Sequence, residues 1–316
     1  MKSAICTLYE GHYHYGVAAL SNSLYKNGFR GSMYVGFRGE IPFWAKKAKE
    51  NKSIEWTGAK TLILDEEFEI HFLPLTIDYH LSNYKPVFML QLLDGIAKNA
   101  DGLFYYDPDI VIKCRWSFYE NWINYGVALV HEITSNDMNP NHPLRREWEK
   151  VISKSGKSVK RELHSYINSG FCGLTIKNKP FLNDWTDIIE TGVKYFNYST
   201  NQFTLTDYRG YVFYAQDQDA FNIAAMCYKG DLSEMGPEAM DFIHGGFTMS
   251  HAVGSPKPWK KLFIHSAFKG NPPSLAEKAY WQNVEMPIKL YKNPEIILKN
   301  ICIKTASFIG RFYRKY

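Results

Sequence analysis

The sequence predicts an α/β protein, and three observations carry that expectation. Residues 3–8 (SAICTL) read as a strand, residues 17–25 place Val17, Leu20, Leu24 and Tyr25 on or near one helical face, and residues 32–35 read as a second strand. This strand–loop–helix–strand opening is a βαβ signal. Residues 87–96 then have helical spacing marked by Val87, Leu90 and Leu93, and residues 103–106 (LFYY) form a short apolar run that meets Asp107-Pro108-Asp109. Finally, a strand-like stretch over 166–174 is followed by helical patterns over 181–193 and 220–227.

The loop after the first strand, residues 9–16 (YEGHYHYG), is rich in aromatics and glycine. Tyr9, His12 and Tyr13 either pack that loop or line a base or ribose pocket at the carboxyl end of the strand, where open α/β sheets place ligands. There is no GxGxxG and no GxxxxGK[ST], so the usual dinucleotide and P-loop signatures are absent. Residues 63–75 hold further strand-like segments around the acidic turn Asp65-Glu66-Glu67. Pro86 suits the first turn of the helix over 87–96. Lys85 then falls near a helix N-terminus, where it is either solvated or helps backbone donors to hold an anion.

Asp107 and Asp109 stand at i and i+2 where a strand gives way to a loop, and Pro108 stiffens the turn between them. They either cap the turn or converge on a hard cation such as Mg²⁺ or Mn²⁺, which favour oxygen ligands and keep positions for phosphate. Residues 116–130 read as a helix or turn region followed by a strand. Residues 131–148 are polar, contain Pro140 and Pro143, and read as a surface excursion in which Arg145 and Arg146 are either solvated or hold an anionic group. Residues 154–161 (KSGKSVKR) are basic and expected to be exposed. Asn168-Ser169-Gly170 interrupts an apolar stretch, as happens where backbone closely approaches a ligand. Asp217 and Asp219 are candidate helix caps; alternatively Asp217 and Gln218 point into a pocket from the helix's first turn. His251 can complete an Asp/Asp metal site and Lys257 can neutralise a phosphate there, with Gly254 between them allowing close backbone approach.

A chain of 316 residues accommodates one large core or two modest domains. The net charge of +5 is compatible with phosphorylated ligands but too weak to argue for nucleic acid, and no nucleic-acid partner is expected. The five cysteines are scattered without a CxxC, which indicates neither a disulfide framework nor a thiolate metal site and suits a reducing compartment. No signal-like apolar core and no run of membrane-spanning length is evident, so a cytoplasmic protein is expected. In residues 293–316, Ile297, Ile301, Phe308, Ile309 and Phe312 share one helical side, while Lys299, Lys304, Arg311, Arg314 and Lys315 lie largely on the other. A basic amphipathic tail reads as a peripheral contact with an anionic membrane surface; the plainer reading is a helix docked on the rest of the chain.

Taken together, these motifs resemble those of the retaining GT-A-fold glycosyltransferases, specifically glycosyltransferase family 8. His251-Ala252-Val253-Gly254-Ser255-Pro256-Lys257-Pro258-Trp259 fits that family's late H-x-x-G-x-x-K-P-W motif at every specified place. Asp107-Pro108-Asp109 matches its D-x-D motif, Asp217-Gln218-Asp219 with Asn222 its D-Q-D-x-x-N signature, and Asn168-Ser169-Gly170 its N-A-G segment with serine for alanine. The resemblance spans residues 3–265. It implies a GT-A (Rossmann-like) fold with a mixed central sheet, a catalytic domain over 1–270 and a C-terminal helical tail over 271–316.

The same resemblance implies roles. Asp107, Asp109 and His251 would bind Mn²⁺ or Mg²⁺, Gly254 and Lys257 would contact the diphosphate of a nucleotide sugar, and Asn168, Asp217 and Gln218 would surround the transferred sugar. The implied activity is metal-dependent transfer of a hexosyl unit, galactosyl or glucosyl, to a glycan or lipid-linked glycan acceptor. The setting is lipooligosaccharide, lipopolysaccharide or capsule synthesis at the inner face of the cell membrane. One departure concerns the base: family members end the first strand with acidic and asparagine residues followed by tyrosine, whereas this chain has Thr7-Leu8-Tyr9-Glu10-Gly11-His12-Tyr13. A uridine diphosphate sugar is the default donor. Two other readings keep the fold: a sugar-nucleotide hydrolase or phosphotransferase, and a non-catalytic nucleotide-sugar-binding module.

Overall fold

The structure is a computed structural model that describes residues 1–133, 138–203 and 211–313. Strand β1 (Ser3–Glu10) lies inside a nine-stranded sheet and is buried at seven of its eight residues, as a central strand covered on both faces must be. Helix α1 (His14–Lys26) carries the chain to β2 (Gly31–Arg38), which pairs parallel to β1. Beyond β2 come β5 (Phe68–Pro74, parallel), then β4 (Lys60–Ile63) and β3 (Lys49–Glu50), both antiparallel. The acidic turn at residues 65–67 is therefore the bend of the β4–β5 hairpin.

On its other side β1 pairs parallel to β6 (Gly102–Tyr106). Next come β9 (Ile167–Thr175), antiparallel to β6, then β8 (Val127–His131), antiparallel to β9, and β10 (Leu232–Met235), parallel to β8. The sheet order is β10-β8-β9-β6-β1-β2-β5-β4-β3. The carboxyl ends of β1, β6 and β8 and the amino end of β9 thus share one edge. Because the connection reverses direction between β1 and β6, a crevice opens there, the usual ligand position in such sheets.

Alternate residues of β1 feed two cores, Cys6 and Leu8 on one face and Ile5 and Tyr9 on the other. The first face is covered by α2 (Leu81–Asp94), α4 (Pro143–Lys154), α5 (Pro180–Tyr195) and α6 (Gln216–Cys227), with Phe88, Trp148, Trp185 and Phe221 in the core. The second is covered by α1, α3 (Trp116–Trp122), α7 (Phe263–Phe268), α8 (Leu275–Trp281) and α9 (Asn293–Ile309). A separate two-stranded sheet pairs β7 (Ile110–Ile112) with β11 (Met249–His251).

Three expectations are corrected. Helix α2 begins at Leu81 rather than after Pro86, with the His80 side chain accepting from Ser82 N, so Pro86 sits inside the helix. Asn168-Ser169-Gly170 does not interrupt a strand but lies within β9, where the ladder to β8 continues from a register shift between Ala128 and Val130. Arg145 is neither solvated nor aimed at an anion: it is buried, and its guanidinium donates to Met138 O (2.8 and 3.0 Å) and Ser165 O (2.8 Å). Arg146 is exposed and paired with Glu149. Part of the expected excursion, residues 134–137, lies outside the described residues. The tail helix α9 has two apolar faces. Ile296, Ile303 and Ala306 pack into the second core, while Ile297, Ile301 and Phe308 stand 60%, 55% and 58% exposed and Ile309 is half-buried.

Candidate active site

The Asp-Pro-Asp turn is placed by its neighbours on three sides. Asp107 N donates to Gly170 O on β9 (2.7 Å), and Ile110 N closes the turn on Asp107 O (3.0 Å). Gly16 of α1 lies against Pro108, where a Cβ would come within 2.1 Å of the Pro108 carbonyl oxygen. The β7–β11 ladder then sets His251 opposite Ile110, and Ala252 N donates to Asp109 O (3.0 Å). Two short strands therefore join the halves of a site that are far apart in sequence.

His251 Nε2 lies 3.3 Å from Asp109 Oδ1 and 3.9 Å from Asp107 Oδ2. One ligand atom from each of the three residues falls within 4.8 Å of the others. Two carboxylates and one imidazole form an O,O,N donor set that suits Mn²⁺ and admits Mg²⁺. His251 Nδ1 is buried and has no hydrogen-bond partner among the described residues. The absence of a side chain at Gly170 makes room for the imidazole, since a Cβ there would lie 2.5 Å from His251 Cε1.

Each carboxylate of the turn already faces a lysine. Lys257 donates to Asp109 Oδ2 and to Ala252 O, and lies over the Tyr13 ring at 5.7 Å. Burial pushes the Asp109 carboxyl up, but His251 and Lys257 outweigh it and hold the group below the usual carboxylate range. Burial disfavours the charged form of Lys257, and Asp109 more than offsets that, leaving its pKa raised. Lys85 lies 3.1 Å from Asp107 Oδ1 and 3.1 Å from Asp217 Oδ2, and donates to Ser169 O (3.1 Å). It is fully buried rather than solvated; burial again opposes its charge and the two aspartates outweigh it. Asp107, Asp109 and Asp217 thus face Lys85 and Lys257.

The next group of residues is a hydrogen-bonded net. Asp217 Oδ2 accepts from Ser169 Oγ (2.7 Å), and Gln218 Oε1 accepts from Asn168 Nδ2 and Ser169 N (both 3.2 Å). Asn222 clamps β9 to α6 by accepting from Ile167 N and donating to Ile167 O, each 2.8 Å. Asp219 points away from the site, toward Tyr166 OH and Ala215 N, both 2.7 Å, and its carboxyl is pushed up to about 8 by burial. At the other end, Trp259 Nε1 donates to His12 Nδ1 (2.9 Å) and its ring meets Tyr13 edge-on, tying the late motif to the first loop. Gly254 has φ +81°, a conformation that favours glycine.

Tyr9, Tyr13, Lys85, Asp107, Asp109, Asn168, Asp217, Gln218, His251, Gly254 and Lys257 all line one cleft of about 360 Å³. Arg145, by contrast, is not on its wall. Sequence reasoning missed Glu132, which lines the cleft and accepts from Asn168 Nδ2 at 2.6 Å. The available signal was the same as for Asp107: a carboxylate immediately after a buried strand, here β8, that ends at the same sheet edge. It also missed Tyr105, whose hydroxyl donates to Asp107 Oδ1 (2.8 Å).

The chain matches no family model and no curated protein sequence. Among solved structures it is similar to the apo structure of WbbM, a bifunctional glycosyltransferase, with a TM-score of 0.50 and 12% identity over 94% of this chain and 51% of that one. The chain spans about half the length of that protein. The likeness shows the fold, a Rossmann-like GT-A fold with a mixed central sheet and C-terminal helices.

Proposed function

We propose that the protein is a retaining, metal-dependent glycosyltransferase of the family 8 type. In this reading it moves a hexosyl unit from a nucleotide diphosphate sugar, by default a uridine diphosphate sugar, to a hydroxyl of a glycan or lipid-linked glycan in surface polysaccharide synthesis. The observation that carries this reading is the Asp107–Asp109–His251 cluster. It shares one cleft with a lysine on one side and the Asn168–Asp217–Gln218 net on the other.

Asp107, Asp109 and His251 would hold Mn²⁺ or Mg²⁺, which when bound neutralises charge on the departing diphosphate. Lys257 reaches the same oxygens once it leaves Asp109, and Gly254 lets the backbone approach them. Tyr9 and Tyr13, on the cleft wall at the carboxyl end of β1, would contact the base and ribose. Asn168 and Gln218 orient the sugar. Asp217 Oδ2 accepts from Lys85 and Ser169 Oγ, which engages that oxygen in two hydrogen bonds and weakens it as a nucleophile. That arrangement supports front-face attack by the acceptor hydroxyl, with a donor phosphate oxygen taking its proton, over a covalent sugar on Asp217. A sugar adduct on Asp217 or Gln218 detected by mass spectrometry would reverse this preference.

We assign catalysis to residues 1–270 and membrane contact to the tail, 271–316. No described helix is long and apolar enough to cross a membrane, and the exposed face of α9 at Ile297, Leu298, Ile301 and Phe308 supports peripheral attachment at the inner face of the cell membrane. Thermal shift against a panel of nucleotide sugars tests the reading. Stabilisation is expected with Mn²⁺ and donor together, little with Mn²⁺ alone, and none with donor in EDTA. Equal stabilisation in EDTA and Mn²⁺ refutes the metal role. Free sugar as the sole product in the presence of acceptor glycans would instead favour a hydrolase.

A further inference from the structure

We infer that a phosphate-binding subsite lies at the C-terminal end of α9, built by Lys278, Lys304 and Arg311, at the far end of a groove that starts at the active-site rim. A cleft of about 1140 Å³ shares Val253 and Gly254 with the active-site pocket and runs to α8 and the end of α9. A smaller cleft of about 390 Å³ shares Lys278, Ser307 and Arg311 with it and adds Lys304, Gln282 and Asn300. The three clefts are therefore joined by common walls.

The charge along this path is one-sided. The groove's acidic groups are already neutralised: Asp241 pairs with Lys113 (2.7 Å), and Glu277 pairs with Lys261 (2.6 Å) while accepting from Ser274 N (2.8 Å). Lys278, Lys304 and Arg311 form no ion pair with any described residue. Ser307 Oγ, between them on the groove wall, is shielded from solvent and has no hydrogen-bond partner among the described residues. Residues 257–316 hold twelve Lys and Arg against three Asp and Glu, a net +9 in a chain whose total is +5, so the other 256 residues carry −4. Three cations, a hydroxyl and two amides lining one cleft offer more donors than one carboxylate can accept, and fit the oxygens of a phosphate ester. A phosphate there is either that of a lipid-linked acceptor reaching the active site along the groove or that of a bilayer headgroup. This choice of occupant, unlike the subsite, rests on the glycosyltransferase reading.

The test compares the full chain with the triple variant Lys278→Gln/Lys304→Gln/Arg311→Gln. The probes are inorganic pyrophosphate titrated by calorimetry in EDTA, and phosphatidylglycerol or phosphatidylcholine vesicles in sedimentation. The native protein is expected to bind pyrophosphate, and the triple variant to lose at least tenfold in affinity, with binding retained in Lys278→Arg/Lys304→Arg. Absent binding in the native protein, or equal affinity in the triple variant, overturns the subsite. Pyrophosphate displacing the protein from phosphatidylglycerol vesicles identifies a headgroup site; pyrophosphate binding without displacement identifies an acceptor phosphate. Stabilisation by UDP-glucose with Mn²⁺ is measured on the same samples and is expected to be unchanged by the triple substitution. Its absence in the native protein would remove the transferase reading while leaving the subsite standing.

Discussion

Replacing Lys85 with methionine tests the charge arrangement at the centre of the site. The ammonium lies 3.1 Å from an oxygen of Asp107 and 3.1 Å from one of Asp217. At an effective dielectric of about 20, each contact is an attraction of about 5 kcal/mol, most of which repays the cost of burying the charges. Methionine keeps the volume but leaves the buried Asp217 and the partly exposed Asp107 without their cation, and removing one partner of a buried pair costs about 3–5 kcal/mol. Urea denaturation of Lys85→Met should show a loss of that size with an unchanged slope. Asp217→Asn added to Lys85→Met should recover part of it, because one uncompensated charge goes. Mn²⁺ should stabilise Lys85→Met more than the native protein, since Asp107 then lacks a competing cation. A loss below about 1 kcal/mol, or identical Mn²⁺ responses, would refute the reasoning.

Further outcomes follow from neighbouring residues. Gly170→Ala puts a methyl 2.5 Å from His251 Cε1; overpacking costs about 1–3 kcal/mol, and displacement of the imidazole should weaken Mn²⁺-dependent donor binding while leaving the circular dichroism spectrum native. His71 is buried, with its pKa lowered from 6.5 to about 4 by burial, despite Glu69 at 3.6 Å. A lowered folded pKa means stability is fully present above pH 6.5 and lost as pH falls toward 4, by about 3 kcal/mol at about 1.4 kcal/mol per unit. His71→Gln should lack that part of the acid sensitivity when the two proteins are compared by urea melts across this window. Asp219, with its carboxyl near 8, is mainly neutral at pH 7, so Asp219→Asn should melt within about 1 kcal/mol of native. Asp219→Leu leaves Ala215 N–H and Tyr166 OH unpaired and should cost about 3 kcal/mol. As a raised folded pKa requires, native stability should fall as pH rises from about 4 to about 8, and that of Asp219→Asn should not.

Residues near in the chain announced themselves. The β1–α1–β2 opening, the Asp107-Pro108-Asp109 turn after β6 and the helix over residues 220–227 each follow from apolar spacing and turn chemistry. Motif resemblance then brought His251, Gly254 and Lys257 to the same turn, and the β7–β11 ladder shows how they arrive. Pro86 misled, because a proline that suits a first turn also survives inside a helix when packing outweighs the lost hydrogen bond.

The sequence by itself determined the alternation of strands and helices and most of the residues that line the cleft, since both are written in short-range spacing and residue chemistry. Only the tertiary structure decided what the charges do. Lys85 becomes a buried counter-ion because it meets Asp217, 132 residues away, while Arg145 is spent on backbone carbonyls. Glu132 joins the site because β8 runs parallel to β6 with β9 between them, and α9 turns one apolar face inward and leaves the other bare. A charge acquires its role from whichever partner shares its low-dielectric surroundings, and sheet order, not sequence distance, chooses that partner.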